Sequence, residues 1–394
     1  MLDRALERAA GAYPIVTVTG PRQSGKTTLV RAAFPTHAYV SLEDPDERRF
    51  ALEDPRSFLE RFTGPAILDE VQRAPDLFSY LQTRADETGR PGQFILSGSQ
   101  NFLLLESVRQ SLAGRAAVLH LLPLSLRELL RQPPTPLFGQ EDRPAAPPPP
   151  FTLEEALYRG FYPRVHDPSV DVEPGDWYAN YYRTYVERDV RSLTNVGDLE
   201  LFSRFVRLCA GRNGQLLNAT ALGNDAGVSH STVRRWLSLL ESSFLITLLR
   251  PHHRNFSKRL IKSPKLYFLD PGLLCYLLGI GSPSDLLSHA SRGAVFETLV
   301  LSEILKSSYH AGRDPLVYFW RDSTGHEVDF VIEREGRLVA VEAKSGRTFA
   351  DDFLNGLRYW EDLAPDTAPG HLVHGGDRAY RRQGFRVHTW WDLA

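Results

Sequence analysis

The chain has 394 residues, of which 42% are hydrophobic and 24% are charged, and its formal net charge is −2. These values are typical of a globular protein with two or three domains. The sequence has no run of 18 apolar residues, no metal-ligand spacing around Cys209 or Cys275, and no apolar signal core near its start. We therefore expect a cytoplasmic protein without a membrane-spanning helix, a disulfide framework or a secretory leader.

Apolar strand-like runs alternate with helical patterns between residues 15 and 125. This alternation predicts a parallel α/β sheet in a first domain at residues 1–130. The predicted strands are Ile15–Thr19, Ala38–Leu42, Ala66–Leu68, Phe94–Leu96 and Ala117–Leu122.

The segment GPRQSGKT lies between the first predicted strand and the helical pattern TTLVRAAF. It fits G-x-x-x-x-G-K-[ST], a phosphate-binding loop in which backbone amides and a helix N-terminus face the phosphates. Lys26 is expected to reach the β- and γ-phosphates of ATP, and Thr27 to bind Mg²⁺. The predicted ATP-binding residues are Gly20, Pro21, Arg22, Gln23, Ser24, Gly25, Lys26, Thr27 and Thr28.

The run AILDE at residues 66–70 ends in two adjacent acids. An apolar strand with this ending is typical of a Walker B element, although acids at an exposed strand end would look the same. Together with the phosphate loop, the pattern predicts that Asp69 holds Mg²⁺ through water and that Glu70 polarises the attacking water.

Two further segments are weaker candidates for the same site. In FILSGS, Ser97, Ser99 or Gln100 is a possible sensor of the γ-phosphate, and an ordinary strand-to-helix turn is an equal alternative. In SLAGR, Arg115 is a candidate finger for the nucleotide of a neighbouring subunit, although an exposed arginine without such a role is more common.

A proline-rich segment at 131–150 predicts a linker or an exposed loop. Residues 151–285 are mostly helical in pattern. Within them, at about 215–265, ATALGNDA and HSTVRRWLSLLESS have helix-turn-helix spacing, and the strand FLITLLRP and a possible wing follow. This arrangement predicts a winged helix.

The stretch from Ser229 to Lys265 has eight lysines and arginines and one acid, Glu241, which gives a local charge of +7. A local basic patch indicates polyanion binding. A lid or protein-docking role remains an alternative, because winged helices also serve in those roles. The predicted nucleic-acid contacts are Arg234, Arg235, Arg254, Lys258, Arg259 and Lys262.

The last region, 286–394, returns to mixed helix and strand. An amphipathic helix is predicted at 291–308, and three strands follow, separated by turn signals at 323–325 and 335–336. Glu342 and Lys344 share a strand face, and Asp329 on the preceding strand is expected opposite Glu342.

A helix acid, a strand aspartate and Glu-x-Lys in this order are the arrangement of the PD-(D/E)xK nuclease-like fold. Asp329, Glu342 and Glu297 would bind Mg²⁺ through oxygen, and Lys344 would stabilise the phosphate or activate water. A solvated hairpin face is the alternative, and nuclease-like domains also bind DNA without cutting it.

Several segments together resemble a bacterial and archaeal family that joins an AAA-type P-loop ATPase to a C-terminal domain long left uncharacterised. They include VTGPRQSGKTTLV, ILDEVQRAPDLFSYLQ, FILSGSQNFLLL, KLYFLDPGLLCYLLG and GHEVDFVIE. The resemblance implies a P-loop domain of the additional-strand type, with Glu70 as the catalytic acid. The predicted fold class is α/β, with that parallel sheet, a helical and winged-helix middle domain and a C-terminal restriction-endonuclease-like domain.

These features favour an ATP-hydrolysing, Mg²⁺-dependent protein that binds DNA and remodels or processes it. By resemblance, the DNA would be branched or replicating and the protein a ring or dimer. The alternative is a nucleotide-dependent regulatory or defence switch whose C-terminal domain binds protein or DNA without cleavage. A small-molecule kinase is disfavoured, because it leaves the C-terminal half unexplained.

Overall fold

The structure is a computed structural model that describes residues 1–99, 112–133, 137–138, 146–185, 199–252, 261–364 and 367–394. Gln100, Arg254, Lys258 and Arg259, which the sequence analysis singled out, lie outside these described residues. Among the described residues, no helix combines the length and the apolar character that a membrane crossing requires.

The chain forms two compact units. The first contains residues 1–123, 242–244 and 308–314, and the second contains residues 124–241, 245–307 and 315–394. The boundary that the sequence predicted between residues 285 and 286 therefore falls inside the second unit.

The described strands are β1 (Ile15–Thr19), β2 (Ala38–Ser41), β3 (Ala66–Asp69), β4 (Phe94–Gly98), β5 (Ala116–His120), β6 (Ile246–Leu249), β7 (Lys265–Phe268), β8 (Val317–Arg321), β9 (Glu327–Arg334), β10 (Arg337–Lys344), β11 (His371–His374), β12 (Tyr380–Arg382) and β13 (Phe385–Thr389).

The described α-helices are α1 (Asp3–Ala10), α2 (Lys26–Ala33), α3 (Pro45–Glu53), α4 (Pro55–Glu60), α5 (Leu77–Thr88), α6 (Leu126–Leu129), α7 (Leu153–Arg159), α8 (Pro174–Tyr181), α9 (Leu199–Ala210), α10 (Ala219–Ala226), α11 (His230–Ser242), α12 (Pro271–Leu278), α13 (Arg292–His310) and α14 (Asn355–Leu363).

The first unit is built on a parallel sheet of five strands in the order β2-β3-β4-β1-β5. Side chains alternate between its two faces, as the pleat of a strand requires. On β1, Ile15 belongs to one buried cluster, and Val16 and Val18 belong to the other. The parallel α/β sheet predicted from the sequence is confirmed, with strand ends that differ by one or two residues.

The middle of the second unit is mainly helical. Helix α11 buries Val233, Trp236, Leu237 and Leu240 and exposes its arginines, as its 3.6-residue periodicity predicts. Trp236 packs edge-on against Phe202 of α9 at a ring-centroid distance of 5.2 Å. The antiparallel pair β6–β7 follows this helix along the chain.

The second unit ends in a six-stranded mixed sheet in the order β12-β13-β11-β10-β9-β8. Strands β8, β9 and β10 form an antiparallel meander, and β10 then pairs in parallel with β11. Helix α14 lies against this sheet, because Leu357 and Trp360 pack into its buried cluster. The three strands predicted between 316 and 344 are confirmed.

Helix α13 differs from the amphipathic helix expected at 291–308. Eleven of its residues between Val295 and Lys306 are buried, so apolar contacts surround the helix instead of following one stripe. Its charged pair Glu303 and Lys306 is buried too, and the two side chains neutralise each other at 3.0 Å. Glu303 and Lys306 are one helical turn apart, so in the sequence they look like part of an exposed polar face, although both are buried.

Candidate nucleotide-binding and acidic sites

The phosphate loop begins where β1 ends. Gly25 has a φ of 93° and directly precedes α2, a left-handed conformation that glycine adopts without strain. Lys26 is buried, and its Nζ donates hydrogen bonds to the carbonyl oxygens of Gly20 at 3.0 Å and Pro21 at 2.6 Å. Burial lowers the pKa of Lys26 to about 8, although Glu70 and Asp69 oppose the shift.

The rest of the loop is compact. Ser24 is buried and its hydroxyl donates to the carbonyl of Pro21 at 2.9 Å. Arg22 is half-buried, whereas Gln23 and Thr28 are exposed. The loop thus connects a buried strand to the first turn of α2. Phosphate binding by backbone N–H groups at a helix N-terminus requires this arrangement.

Asp69 lies at the centre of a hydroxyl cluster at the carboxyl edge of the sheet. Its Oδ2 accepts hydrogen bonds from Thr27 at 2.9 Å and Tyr39 at 3.0 Å, and its Oδ1 accepts one from Ser97 at 2.5 Å. The parallel register pairs Asp69 with Ser41 and Ser97, so these side chains meet at one edge. Tyr39 was not predicted as a site residue from the sequence, although it lies on a predicted strand that pairs with the strand carrying Asp69.

Glu70 follows β3 with a φ of 54°, which is uncommon for a residue with a side chain. Its Oε2 accepts hydrogen bonds from Gln72 at 2.5 Å and from Ser99 at 3.2 Å. Burial raises the pKa of Glu70, and the nearby Lys26 opposes that shift. Ser97 and Ser99 thus contact the two acids, one each.

Arg115 lies at the other edge of the sheet. It directly precedes β5, whose first residue, Ala116, pairs with Ile15 at the start of β1. Its guanidinium donates to both oxygens of Asp86, at 2.5 Å and 2.9 Å. Within its own chain, Arg115 is therefore paired with a surface acid and lies away from the phosphate loop.

In the second unit, the strands of the candidate nuclease-like site separate at the predicted acids. The β9–β10 ladder runs as far as Phe330 paired with Val341. At the next position, Oδ2 of Asp329 accepts the backbone N–H of Ala343 at 3.0 Å, and β10 continues in register with β11. Asp329 and Glu342 therefore lie where the two strands stop bonding to each other.

Lys344 lies between these two carboxylates. Its Nζ donates to Oδ2 of Asp329 at 3.2 Å and to Oε2 of Glu342 at 2.7 Å. Burial would raise the pKa of Asp329, but Lys344 and Lys265 outweigh it and hold that pKa at about 2. Burial and the Asp329 charge raise the pKa of Glu342 well above its usual value, so Glu342 is the carboxyl that retains a proton more readily.

Glu297, on α13, belongs to the same electrostatic cluster. Its Oε2 accepts a hydrogen bond from the hydroxyl of Tyr267 at 2.7 Å. Burial and the charge of Asp329 raise the pKa of Glu297 to about 7. We call Glu297, Glu327, Asp329 and Glu342 the acidic cluster.

Three residues of this site, Lys265, Tyr267 and Glu327, were not predicted from the sequence. Lys265 is buried and forms an ion pair with Oε1 of Glu327, whose other oxygen accepts from Arg321 at 3.0 Å. The i, i+2 spacing of Lys265 and Tyr267 on a strand was the available signal, but nothing in the sequence connected that strand to the acids. Lys265 had been counted in the basic patch, and its burial removes it from any exposed patch.

The predicted metal ligands of the C-terminal region, Asp329, Glu342 and Glu297, do not form a metal site as they are arranged. Among the residues that the structure describes, no three His, Cys, Asp or Glu side chains are grouped so that they could hold a metal ion. The Lys344 ammonium occupies the space between Asp329 and Glu342, and Tyr267 engages Glu297. The acids are brought together, but lysines neutralise them.

The helix α11 presents Arg234 and Arg235 to solvent, and Lys262 is exposed as well. These three are the predicted nucleic-acid contacts that the described part of the chain contains. The exposed face is consistent with a polyanion-binding role, while the opposite face of α11 is buried.

Comparison with known proteins divides the chain into three regions. Residues 12–130 match a family described as an AAA domain. Residues 151–284 match a domain of unknown function, DUF8612, and residues 292–393 match another, DUF4143.

The uncharacterized protein Rv2008c of Mycobacterium tuberculosis is 31% identical over 350 residues, which cover 88% of this chain and 73% of the relative. The uncharacterized protein MJ1544 of Methanocaldococcus jannaschii is 23% identical over 363 residues, which cover 86% of this chain and 76% of the relative.

Two solved structures align with parts of this chain. The Walker-type ATPase paby2304 of Pyrococcus abyssi is 15% identical, covers 70% of this chain and 94% of its own, and has a TM-score of 0.38. AMPPCP-bound DnaA from Aquifex aeolicus is 15% identical, covers 61% of this chain and 85% of its own, and has a TM-score of 0.28. At these TM-scores the overall likeness is weak.

Proposed function

This chain belongs to the family of the uncharacterized mycobacterial protein Rv2008c and begins with an AAA-type P-loop ATPase domain, and we propose that it hydrolyses ATP and binds DNA. The observation that carries the ATPase part is the position of Asp69 and Glu70 beside the phosphate loop. Thr27 Oγ1 lies 2.9 Å from Asp69 Oδ2, so the two oxygens share one site.

This pair of oxygen donors fits Mg²⁺, which prefers oxygen ligands and binds in such sites together with nucleotide phosphates. A bound Mg²⁺ would neutralise charge that develops on the phosphates. Thr27 and Asp69 would hold the ion, the latter through water. Lys26, whose Nζ donates to the carbonyl oxygens of Gly20 and Pro21, would turn to the β- and γ-phosphates.

Glu70 is the residue proposed to orient and polarise the attacking water. Its raised pKa and its position beside Lys26 fit a group that accepts a proton more readily than an exposed glutamate does. Ser97 and Ser99 would keep the two acids apart and oriented through their hydrogen bonds. The ATPase reaction then depends on residues from the ends of β1, β3 and β4.

The proposed DNA contacts lie in the middle region, which we propose contains a winged helix. Arg234 and Arg235 share the exposed face of α11, and phosphate contact by such a face is independent of DNA sequence. We propose the PD-(D/E)xK nuclease-like fold for the C-terminal region, because a helix acid, a strand aspartate and Glu-x-Lys converge at the fork between β9 and β10. Cleavage of DNA is not part of the proposed function, since the Lys344 ammonium lies between Asp329 and Glu342.

The ion pairs that Lys265 and Lys344 form within the acidic cluster favour a second candidate function, a switch without nuclease activity. A nucleotide-dependent switch that binds DNA or protein without cleaving it needs no metal among these acids. The cytoplasm as location, and assembly into a ring or dimer in which Arg115 meets a neighbouring nucleotide, remain parts of the proposal.

The experiment measures ATP turnover with Mg²⁺, DNA binding, and nicking of linear and branched DNA with Mg²⁺ or Mn²⁺. The native chain is compared with Lys26→Ala and Glu342→Ala. The proposal expects turnover that Lys26→Ala abolishes and DNA binding that both variants retain. Absence of ATP turnover in the native chain contradicts the ATPase function. Nicking of DNA by the native chain that Glu342→Ala abolishes would show that the protein cleaves DNA, and would contradict a switch without nuclease activity.

A further inference from the structure

The strand β7 carries two side chains into the acidic cluster from outside the C-terminal region. Lys265 and Tyr267 alternate with Leu266 and therefore point to the same side of the strand. The backbone of Leu266 is fixed from the neighbouring segment, because Gly214 donates to its carbonyl at 2.7 Å and its own N–H donates to Gln215 at 3.1 Å. The backbone of β7 is thus held in place by residues 214–215, independently of the contacts that its side chains make with the acids.

Lys265 is a charged side chain that is almost completely removed from water. It is 3% exposed, and its ammonium forms the ion pair with Glu327 while the charges of Asp329 and Glu297 act on it as well. A buried charge is stable only when it is paired, and the removal of one partner leaves the other uncompensated. Lys265 and its acids therefore hold one another in place.

Tyr267 and Asn213 link the same strand to the helix that carries Glu297. The Tyr267 hydroxyl donates to Glu297 at 2.7 Å. The side-chain oxygen of Asn213 accepts the N–H of Phe268 at 2.7 Å, and its amide donates to Ala294 O at 3.0 Å and Thr298 Oγ1 at 2.9 Å. The position of Glu297 on α13 is therefore set from β7.

We propose that Lys265 and Tyr267 are positioning residues of the acidic cluster, so that this site is built jointly by the region matching DUF8612 and the region matching DUF4143. Lys344 neutralises the cluster from the Asp329 and Glu342 side, and Lys265 neutralises it from the Glu327 side. This inference deepens the proposed function and rests on it for the use of the cluster on nucleic acid.

The test follows the backbone N–H of Ala343, whose partner is the carboxylate of Asp329. Its hydrogen exchange is measured by NMR or mass spectrometry in the full chain, without nucleotide or DNA. In Lys265→Met, the Glu327 carboxylate loses its ion-pair partner and the neighbouring acids lose a charge that offsets their repulsion, so the hydrogen bond from Ala343 to Asp329 is expected to open more often. A hydrogen bond to a charged group contributes about 1.5–3 kcal/mol, so its loss speeds exchange about tenfold or more.

Lys265→Arg restores the charge and is expected to return the exchange rate towards the native value. Tyr267→Phe removes only a hydroxyl and covers the case in which Lys265→Met does not fold; it is expected to speed exchange of the α13 amides around Glu297. Tyr158→Phe is the matched control, because the Tyr158 hydroxyl donates to a different glutamate, Glu173, at 3.0 Å.

Exchange around Ala343 and Glu297 that is unchanged in Tyr267→Phe and in folded Lys265→Met would overturn the proposal. Equal acceleration in Tyr158→Phe would also overturn it, because the effect would then be general. A native chain that binds no DNA would contradict the proposed function instead, and the exchange measurements would still decide this inference.

Discussion

At the scale of single residues, the nucleotide site combines a buried cation with two acids in different environments. Asp69 accepts three hydroxyl hydrogen bonds, whereas Glu70 accepts from Gln72 and Ser99 and has a raised pKa. An acid with several donors is suited to hold charge beside a metal ion, and an acid with a raised pKa is suited to accept a proton. The geometry thus separates the two roles that adjacent acids are proposed to have.

Glu70→Gln tests this separation. The variant keeps the size of the side chain and one acceptor oxygen but cannot take a proton, so ATP turnover is expected to fall about a hundredfold or more. Binding of ATP, measured by calorimetry, is expected to stay within a few-fold of native, since Lys26 and Thr27 are unchanged. Glu53→Gln, at an exposed acid, is the control.

Equal loss of ATP binding and turnover in Glu70→Gln would contradict the assignment. That result would mean that Glu70 supports the loop structure instead of the chemical step.

The lowered pKa of Lys26 predicts that the free energy of unfolding, measured without added nucleotide, depends on pH. Burial lowers its folded-state pKa to about 8 from 10.5, so between these values the unfolded chain binds more protons than the folded chain. The free energy of unfolding is therefore expected to rise as the pH increases through this window, by up to about 3 kcal/mol from this group. Urea unfolding at several pH values measures it.

Lys26→Met removes the titrating group and is expected to flatten this rise relative to the native chain. If the free energy of unfolding has the same pH dependence in the two proteins, burial does not lower the pKa of Lys26, and the prediction is contradicted.

At the scale of elements, the acidic cluster depends on a fork between strands and on a helix that closes one side of it. Glycine at position 356 lets α14 approach, because a Cβ there would meet Glu342 Oε1 and the carbonyl of Glu327 at less than van der Waals distance. The side-chain oxygen that Lys344 does not engage is therefore covered by this helix. Helix α14 therefore covers one side of the acidic cluster, and Lys265 and Lys344 form ion pairs with its carboxylates.

Gly356→Ala is expected to displace Glu342 or α14 and to lower the free energy of unfolding by about 1–3 kcal/mol, as overpacking does in buried sites. Chemical denaturation measures the loss. Gly293→Ala is the matched control, because an added Cβ at that helical position meets no atom within 4 Å. Equal stability of Gly356→Ala and Gly293→Ala would contradict the close packing.

The exposed face of α11 is tested by Arg234→Gln combined with Arg235→Gln. If both arginines contact phosphates, DNA affinity falls for all sequences, and the slope of log affinity against log salt decreases by about two. Fluorescence anisotropy at several salt concentrations measures both. Arg48→Gln combined with Arg49→Gln, on α3 of the first unit, changes the charge equally and is the control.

An unchanged slope in the α11 variant would remove this helix from the interface. An equal loss in the α3 variant would show that net charge, and not this face, determines the affinity.

Local patterns predicted those elements whose determinants lie close together in the sequence. The phosphate loop is continuous, and Glu342 and Lys344 are two residues apart on one strand. Lys265 and Tyr267 escaped prediction because their partners lie 62 and 30 residues away, and only tertiary packing brings them together. The amphipathic prediction for α13 was wrong because a buried Glu303–Lys306 pair looks the same as an exposed one in sequence.

At the scale of the whole molecule, an ATPase domain is followed by two regions whose side chains make one buried acidic cluster. A basic helix face lies in the first of these regions, and Lys265 of that region forms an ion pair with Glu327 of the acidic cluster. The proposed function requires that ATP turnover respond to DNA, since otherwise the ATPase and the proposed DNA-binding elements would act independently.

The most direct measurement is ATP turnover of the native chain with no DNA and with single-stranded, duplex and branched DNA. At least one DNA shape is expected to increase ATP turnover several-fold. Lys26→Ala is expected to have no turnover under any condition, and the Arg234→Gln, Arg235→Gln variant is expected to keep its basal turnover but lose the increase. A native chain that turns over ATP at the same rate with every DNA, and binds none of them, would contradict the central claim.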